Sequence, residues 1–141
     1  MNIRHGVLYL ANLKPRHGTE AGKVRPVLVI QTDLLNEAGH PSTWILPCTT
    51  GLVGENLLRV SLPRNIAGNA EECEIMIDQS RSIDNQRFHK ALRPLPAEIL
   101  KEVKEKLRQL GELSDPHRIG ESTFAFRDKV GFVHGELLFV H

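Results

Sequence analysis

Val27–Ile30 (VLVI), directly after Pro26, is a continuous run of apolar and mostly β-branched side chains. Such a run, with no polar alternation, fits a strand covered on both faces, and this constrains the fold more than any other feature. A strand of this kind needs a neighbour on each edge and a layer above and below. Pro26 lacks a donor and suits the first residue of that strand. Val7–Ala11 (VLYLA) and Thr43–Leu46 (TWIL, stopped by Pro47) read as short strands. Leu58, Val60 and Leu62 alternate with Arg59 and Ser61, as in a strand with one wet face. Glu74–Asp78 (EIMID) reads as another, with Glu71, Glu72 and Glu74 on a solvated rim. Asn12–Gly22 holds Pro15, Gly18 and Gly22 and is a loop, and Thr32–Ser42 is a loop or a single helical turn.

The period changes after residue 95. Ile99, Leu100, Val103, Leu107 and Leu110 recur at helical spacing within Pro96–Leu110, with Pro96 at the first helical position and Gly111 as terminator. Glu98–Lys101 and Glu102–Lys106 add weak pairs along the helix. Beyond it, Ser122–Phe126, Val130–Val133 and Glu136–Val140 read as short strands around Gly131 and Gly135. Their apolar side chains, including Phe124, Phe126, Phe132 and Phe139, are expected to pack rather than stay in water. Short strands with one late helix indicate an α+β, mainly β fold: a small antiparallel barrel, a helix over about 96–111 and a strand-like C-terminal extension.

At 141 residues the chain is one domain long. A domain of this size buries roughly 70% of its unfolded surface, so it needs no disulfide or metal staple. Its two cysteines, Cys48 and Cys73, match no zinc spacing, and Cys48 reads as a small buried hydrophobe. The seven histidines show no ligand pairing, so neither a metal site nor a cofactor is expected. No apolar run approaches the roughly 18 residues of a membrane span, and Met1–Gly6 lacks the apolar core of a signal peptide. The expectation is a soluble protein of a reducing compartment, the cytoplasm.

Net charge is only +1, but it is unevenly placed. Residues 1–30 carry Arg4, Lys14, Arg16, Lys23 and Arg25 against Glu20 alone, whereas residues 31–80 are acidic. A local positive field of this kind suits phosphate, and it equally suits an ordinary solvated loop. The densest constellation is Gly18–Gln31 (GTEAGKVRPVLVIQ), where a glycine-bearing loop delivers Thr19, Glu20, Lys23 and Arg25 to the mouth of the buried strand. Arg25 has the planar fork that matches phosphate oxygens, or it pairs with a neighbouring carboxylate. Pro47–Gly51 (PCTTG) offers threonine hydroxyls at a strand end, which make a phosphate cradle or a plain turn. Ile77–Asp84 (IDQSRSID) mixes acid, amide and guanidinium in a third polar segment.

Taken in order, GVLYLANL (Gly6–Leu13), GTEAGKVRPVLVIQ, PCTTG and DQSRSID (Asp78–Asp84) resemble the MazF/PemK family of toxin endoribonucleases. The G-x-E-x-G-x-x-R-P pattern (Gly18 to Pro26) running into a Val/Ile strand is the specific part. The resemblance covers roughly residues 4–112. It implies an SH3-like barrel with a C-terminal helix over residues 1–113, working as a homodimer. Residues 114–141 become an extension packed on the same domain or on its dimer partner. It also implies metal-independent cleavage of single-stranded RNA and a cognate antitoxin whose tail threads over the active site.

By the same resemblance, Arg25 matches the catalytic arginine, Thr49 the catalytic threonine, Glu20 a loop acid and Asp78 an acid that serves as base in some relatives. Lys14, Arg16, Thr19, Lys23, Thr50, Gln79 and Arg81 form the expected RNA-binding set. Three departures stand out: Gly6-Val7 where many members have Gly followed by an acid, Thr19 where some have His, and Met76 where some have a second catalytic Arg. The implied reaction is attack by the substrate's own 2′-hydroxyl. Arg25 neutralises charge, Thr49 holds a non-bridging oxygen, and Glu20 or Asp78 accepts the proton, since arginine is too basic to do so. The products carry a 2′,3′-cyclic phosphate and a 5′-hydroxyl. The rival readings are a gyrase poison of the CcdB type, which shares the barrel but ends in a Trp-bearing tail, and a barrel that binds RNA without cutting it.

Overall fold

The computed structural model describes residues 1–13 and 24–113, together with the backbone of 132–133 and 136–137. Seven strands form one antiparallel sheet: β1 (Val7–Asn12), β2 (Val24–Val29), β3 (Ser42–Thr49), β4 (Arg59–Leu62), β5 (Cys73–Met76), β6 (Arg81–Asp84) and β7 (Phe88–Pro94). A short helix α1 (Asp33–Glu37) links β2 to β3, and α2 (Ala97–Leu110) follows β7. The spatial order is β4-β5-β3-β2-β1-β7, with β6 joined to β3. The edge of β3 away from β2 therefore has two partners in succession: β6 opposite Ser42–Ile45, then β5 opposite Cys48–Thr49.

The buried run behaves as its composition demands. Leu28 joins Leu8, Leu46, Val60, Leu62, Ile75 and Val103 in one core, with Leu100 and Leu107 of α2 packed against it. Val27 and Val29 join Tyr9, Ala11, Ile45, Ile83 and Phe88 in a second core on the other side. Alternate residues of β1, β2 and β3 thus feed opposite cores. In the second core the Tyr9 and Phe88 rings meet edge to face at 5.3 Å, and the Tyr9 hydroxyl donates to Asn2 O and accepts from Arg4 N. Fully burying each such side chain contributes about 1.5–3 kcal/mol.

The sheet is an open, barrel-like path rather than a closed ladder. The gap between β7 and the turn after β4 is spanned by Arg93 N donating to Ala67 O (2.9 Å) and Arg93 Nη2 donating to Asn65 O (2.7 Å). Gly6 docks the amino-terminal arm. Its N–H donates to Val29 O, its carbonyl accepts from Leu95 N, and its φ is +79°. A Cβ there would meet the Leu100 side chain at 3.0 Å, so both conformation and space select glycine.

Several boundaries differ from expectation. Pro26 is the third residue of β2, not its first. Pro47 does not stop β3; it falls between the β6 and β5 ladders, where the strand continues to Thr49. The fifth strand begins at Cys73 and ends at Met76, because Ile77–Gln79 turns as a 3-10 helix. Glu74 is buried rather than on the rim, although Glu71 and Glu72 are exposed. β6 and β7 were not anticipated, since their charged and polar residues hide the period. Pro96 is the N-cap of α2, and Leu110 is exposed while Lys106 and Gln109 are buried. In the extension, Phe132–Val133 (β8) and Glu136–Leu137 (β9) form an antiparallel pair. The expected Ser122–Phe126 strand lies outside the described residues.

Asp33 ties α1 to the arm. Its Oδ1 accepts from His5 N (2.8 Å) and Asn36 Nδ2 (3.1 Å), and these bonds, the His5 one first, hold its carboxyl below the usual value of 3.8. A lowered pKa means that the charged form stabilises the fold above the unfolded value, and that this is lost as pH falls through the folded one. Asp33→Asn should therefore be less stable than wild type at neutral pH. Urea melts should show the difference shrinking as pH is lowered through about 3.8 and below.

Candidate active site

β2 and β3 run antiparallel with Val27 opposite Pro47, and their ladder ends there. Continuing the same register by two residues sets Arg25 across from Thr49. Both strands begin to part at this point, and a cavity of about 500 Å³ opens between them. Arg25, Thr49 and Thr50 line it, together with Cys48, Glu71 and Cys73. Arg25 is half-buried in a strand paired on both edges of its sheet, which restrains its stem. Among the described residues no carboxylate forms an ion pair with it.

Thr49 is set by the turn that follows it. Its Oγ1 accepts the Gly51 N–H at 3.0 Å, so the hydroxyl proton is left to be donated elsewhere. Cys48 hydrogen-bonds to Cys73 and is shut off from water, and both effects push its thiol pKa well up. A thiol held protonated is no nucleophile at neutral pH, in keeping with its reading as a small buried hydrophobe. A guanidinium and a hydroxyl on one roomy cavity are the groups that can orient an anion and stabilise charge developing on it.

The other expected residues divide into two groups. Thr50 is exposed on the rim of the cavity. Asp78 and Gln79 are exposed in the 3-10 turn and Arg81 is exposed at the start of β6, outside the described lining. Lys14, Arg16, Thr19, Glu20 and Lys23 lie outside the described residues. Sequence reasoning passed over Glu71, the carboxylate in the described lining, because an acidic run ahead of a strand carries no sign of what it faces. Among the described residues no helix is long and apolar enough to cross a membrane.

Fold and cavity together define a small β protein with an arginine and a threonine lining one cavity. Residues 4–111 match the family described as PemK-like, MazF-like toxin of type II toxin-antitoxin system. Endoribonuclease EndoA of Bacillus subtilis (strain 168) is 34% identical over 110 residues, covering 77% of this chain and 93% of that protein. The crystal structure of MazF (Form-I) from Deinococcus radiodurans is similar at a TM-score of 0.65 and 28% identity, covering 79% of this chain and 98% of that one. A MazE-MazF structure (Form-II) from the same organism reaches 0.69 at 28% identity, covering 81% and 99%. The chain belongs to the PemK-like, MazF-like toxin family, and it is a toxin-component endoribonuclease. The gyrase-poison reading falls with this.

Proposed function

We propose that the protein cleaves single-stranded RNA at a short sequence, without a metal, through in-line attack of the substrate's 2′-hydroxyl on the adjacent phosphate. The observation that carries this reading is that Arg25 and Thr49 line one cavity, with no described carboxylate paired to the arginine. Because the nucleophile belongs to the RNA, the protein has to orient the phosphate, offset its growing charge and move two protons. Arg25 supplies the charge and donates toward the leaving 5′-oxygen. Thr49, with one of its two lone pairs taken by Gly51 N–H, donates its proton to a non-bridging oxygen. The 2′ proton goes to a carboxylate. The acceptor in this reading is Glu20 or Asp78; Asp78 stands outside the described lining, so Glu20, close before β2 in the sequence, is tested first, with Glu71 of the lining as the control.

Lys14, Arg16, Thr19, Lys23, Thr50, Gln79 and Arg81 form the RNA-binding set in this reading, the basic ones holding flanking phosphates. The working unit is a homodimer in the cytoplasm, where its RNA is found. Its partner is a cognate antitoxin, a proposal supported by the similarity to the MazE-MazF complex. Residues 1–113 act as the toxin domain, and the extension, which lies past the family match, packs on that domain or on its dimer partner.

The first test is incubation of the pure protein with total RNA in EDTA, with discrete fragments bearing 2′,3′-cyclic phosphate and 5′-hydroxyl ends as the expected result. Arg25→Ala and Thr49→Ala should each slow cleavage by about 10²–10³-fold, the usual loss on removing a charge-stabilising donor. Melting should show each within about 1 kcal/mol of wild type, because neither side chain is in a core. Rate–pH profiles should fall on the acid side with a carboxylate pKa. That limb should vanish in Glu20→Gln and persist in Asp78→Asn and Glu71→Gln. Truncation after Leu113 should lower solubility or stability; a shortened protein equal to wild type in both removes the packing role of the extension.

A further inference from the structure

Glu74 is buried in β5, directly opposite Thr49 in the ladder. Its carboxylate does not face a cation alone. Oε1 accepts from Val53 N (3.0 Å) and from Arg59 Nη1 (2.9 Å), and Oε2 accepts from Gly54 N (2.9 Å). The same Arg59 nitrogen donates to Gly51 O (3.2 Å), and Gly51 N donates to Thr49 Oγ1 (3.0 Å). An unbroken path of hydrogen bonds thus leads from the Glu74 carboxylate through Arg59 and Gly51 to the Thr49 hydroxyl.

We infer that Glu74 is a positioning residue for RNA cleavage, which acts through Arg59 and the Gly51–Gly54 loop to hold Thr49 with its hydroxyl proton aimed into the cavity. The inference rests on the reading of Thr49 as a phosphate donor. A buried carboxylate–guanidinium pair gives no stability advantage over an apolar pair of like volume, so stability alone does not account for it. What the pair does supply is geometry. The loop it holds has exposed residues from Thr50 to Glu55, with Leu52 and Val53 open to solvent, so apolar packing does not fix its shape. Three acceptor contacts on Glu74 fix it instead. A threonine rotamer chosen by the Gly51 N–H is only as well placed as Gly51 itself, and the Gly51 carbonyl is held by the guanidinium that Glu74 orients.

The test is Glu74→Gln, which keeps the size and one acceptor but sets an NH2 group against a backbone donor or Arg59. Arg59→Lys is made alongside, because it breaks the bond to Gly51 O at a half-buried position and folds even where Glu74→Gln does not. Wild type is first used to map a cut site and supply a short RNA. Each variant should then lose about tenfold in kcat with KM changed less than about twofold, the pattern of an interaction made in the transition state. Amide hydrogen exchange at Val53 and Gly54 should quicken in Glu74→Gln while the strands stay protected. Unchanged kcat, or a loss of kcat that only tracks the unfolded fraction in a melt, overturns the inference, as does unchanged exchange in the loop. Absence of cleavage by wild type would instead sink the reading of the protein as a nuclease, and loop exchange would still show whether Glu74 holds the loop.

Discussion

Burial of β2 on both faces and both edges is the constraint on which the remaining structure depends. Leu28 commits one side of the sheet to the core under α2, and Val27 and Val29 commit the other to the core around Tyr9 and Phe88. A single sheet with two wet faces would not tolerate this run. Seven strands must therefore curl, with the helix closing one side and the amino-terminal arm and β7 closing the other. The devices that seal the curl are polar and few: Gly6 between Val29 and Leu95, and Arg93 bridging to the turn after β4. Each satisfies backbone groups that an open edge would leave unpaired.

The same constraint explains where the cavity sits. A strand buried along its length has no room for chemistry, so the site lies where the β2–β3 ladder stops, past Val27 and Pro47. There the side chains next in register, Arg25 and Thr49, have emerged from the core but inherit the rigidity of strands packed behind them. The site departs from what folding favours, since a guanidinium with no ion pair among the described residues and a half-buried hydroxyl contribute little to the core.

What was legible in the sequence follows from this division. Continuous apolar runs located β1 and β2, and apolar periodicity located β4 and α2, because their burial is carried by the side chains themselves. β6 and β7 were invisible because only Ile83, Phe88 and Leu92 of their residues point into a core, too few to show a period. Pro47 misled because a proline ends a strand only where a partner needs its N–H. Arg25 and Thr49 were legible as chemistry types and, through the order of the motifs, as residues that converge on one pocket, but the register between these segments, more than twenty residues apart, was not. Glu71 and Glu74 form the sharpest case. They are near neighbours in one acidic run, yet one lines the cavity, exposed, and the other is buried with three donors. Composition does not distinguish them; strand alternation and the partners across the ladder do.

The nine residues between Thr49 and Arg59 bring the two scales together. Apart from an isolated bridge between Asn56 and Arg59, they hold no sheet pairing, and a loop of this length loses about 1–2 kcal/mol of conformational entropy per residue when ordered. Two buried charges from other elements offset that cost. Glu74 accepts from the amides of the first half, and Lys106, buried in α2, donates to Asn56 O (2.9 Å) and Arg59 O (3.0 Å) in the second while pairing with Glu102 (3.0 Å). An apolar anchor has no donors or acceptors for backbone groups, so burial alone would leave those amides and carbonyls without partners. The carboxylate sits where amides point and the ammonium where carbonyls point, which fixes the path of the loop from both ends. Helix α2 therefore does more than cover a core: through Lys106 it sets one end of the loop whose other end begins at the cavity, at Thr49.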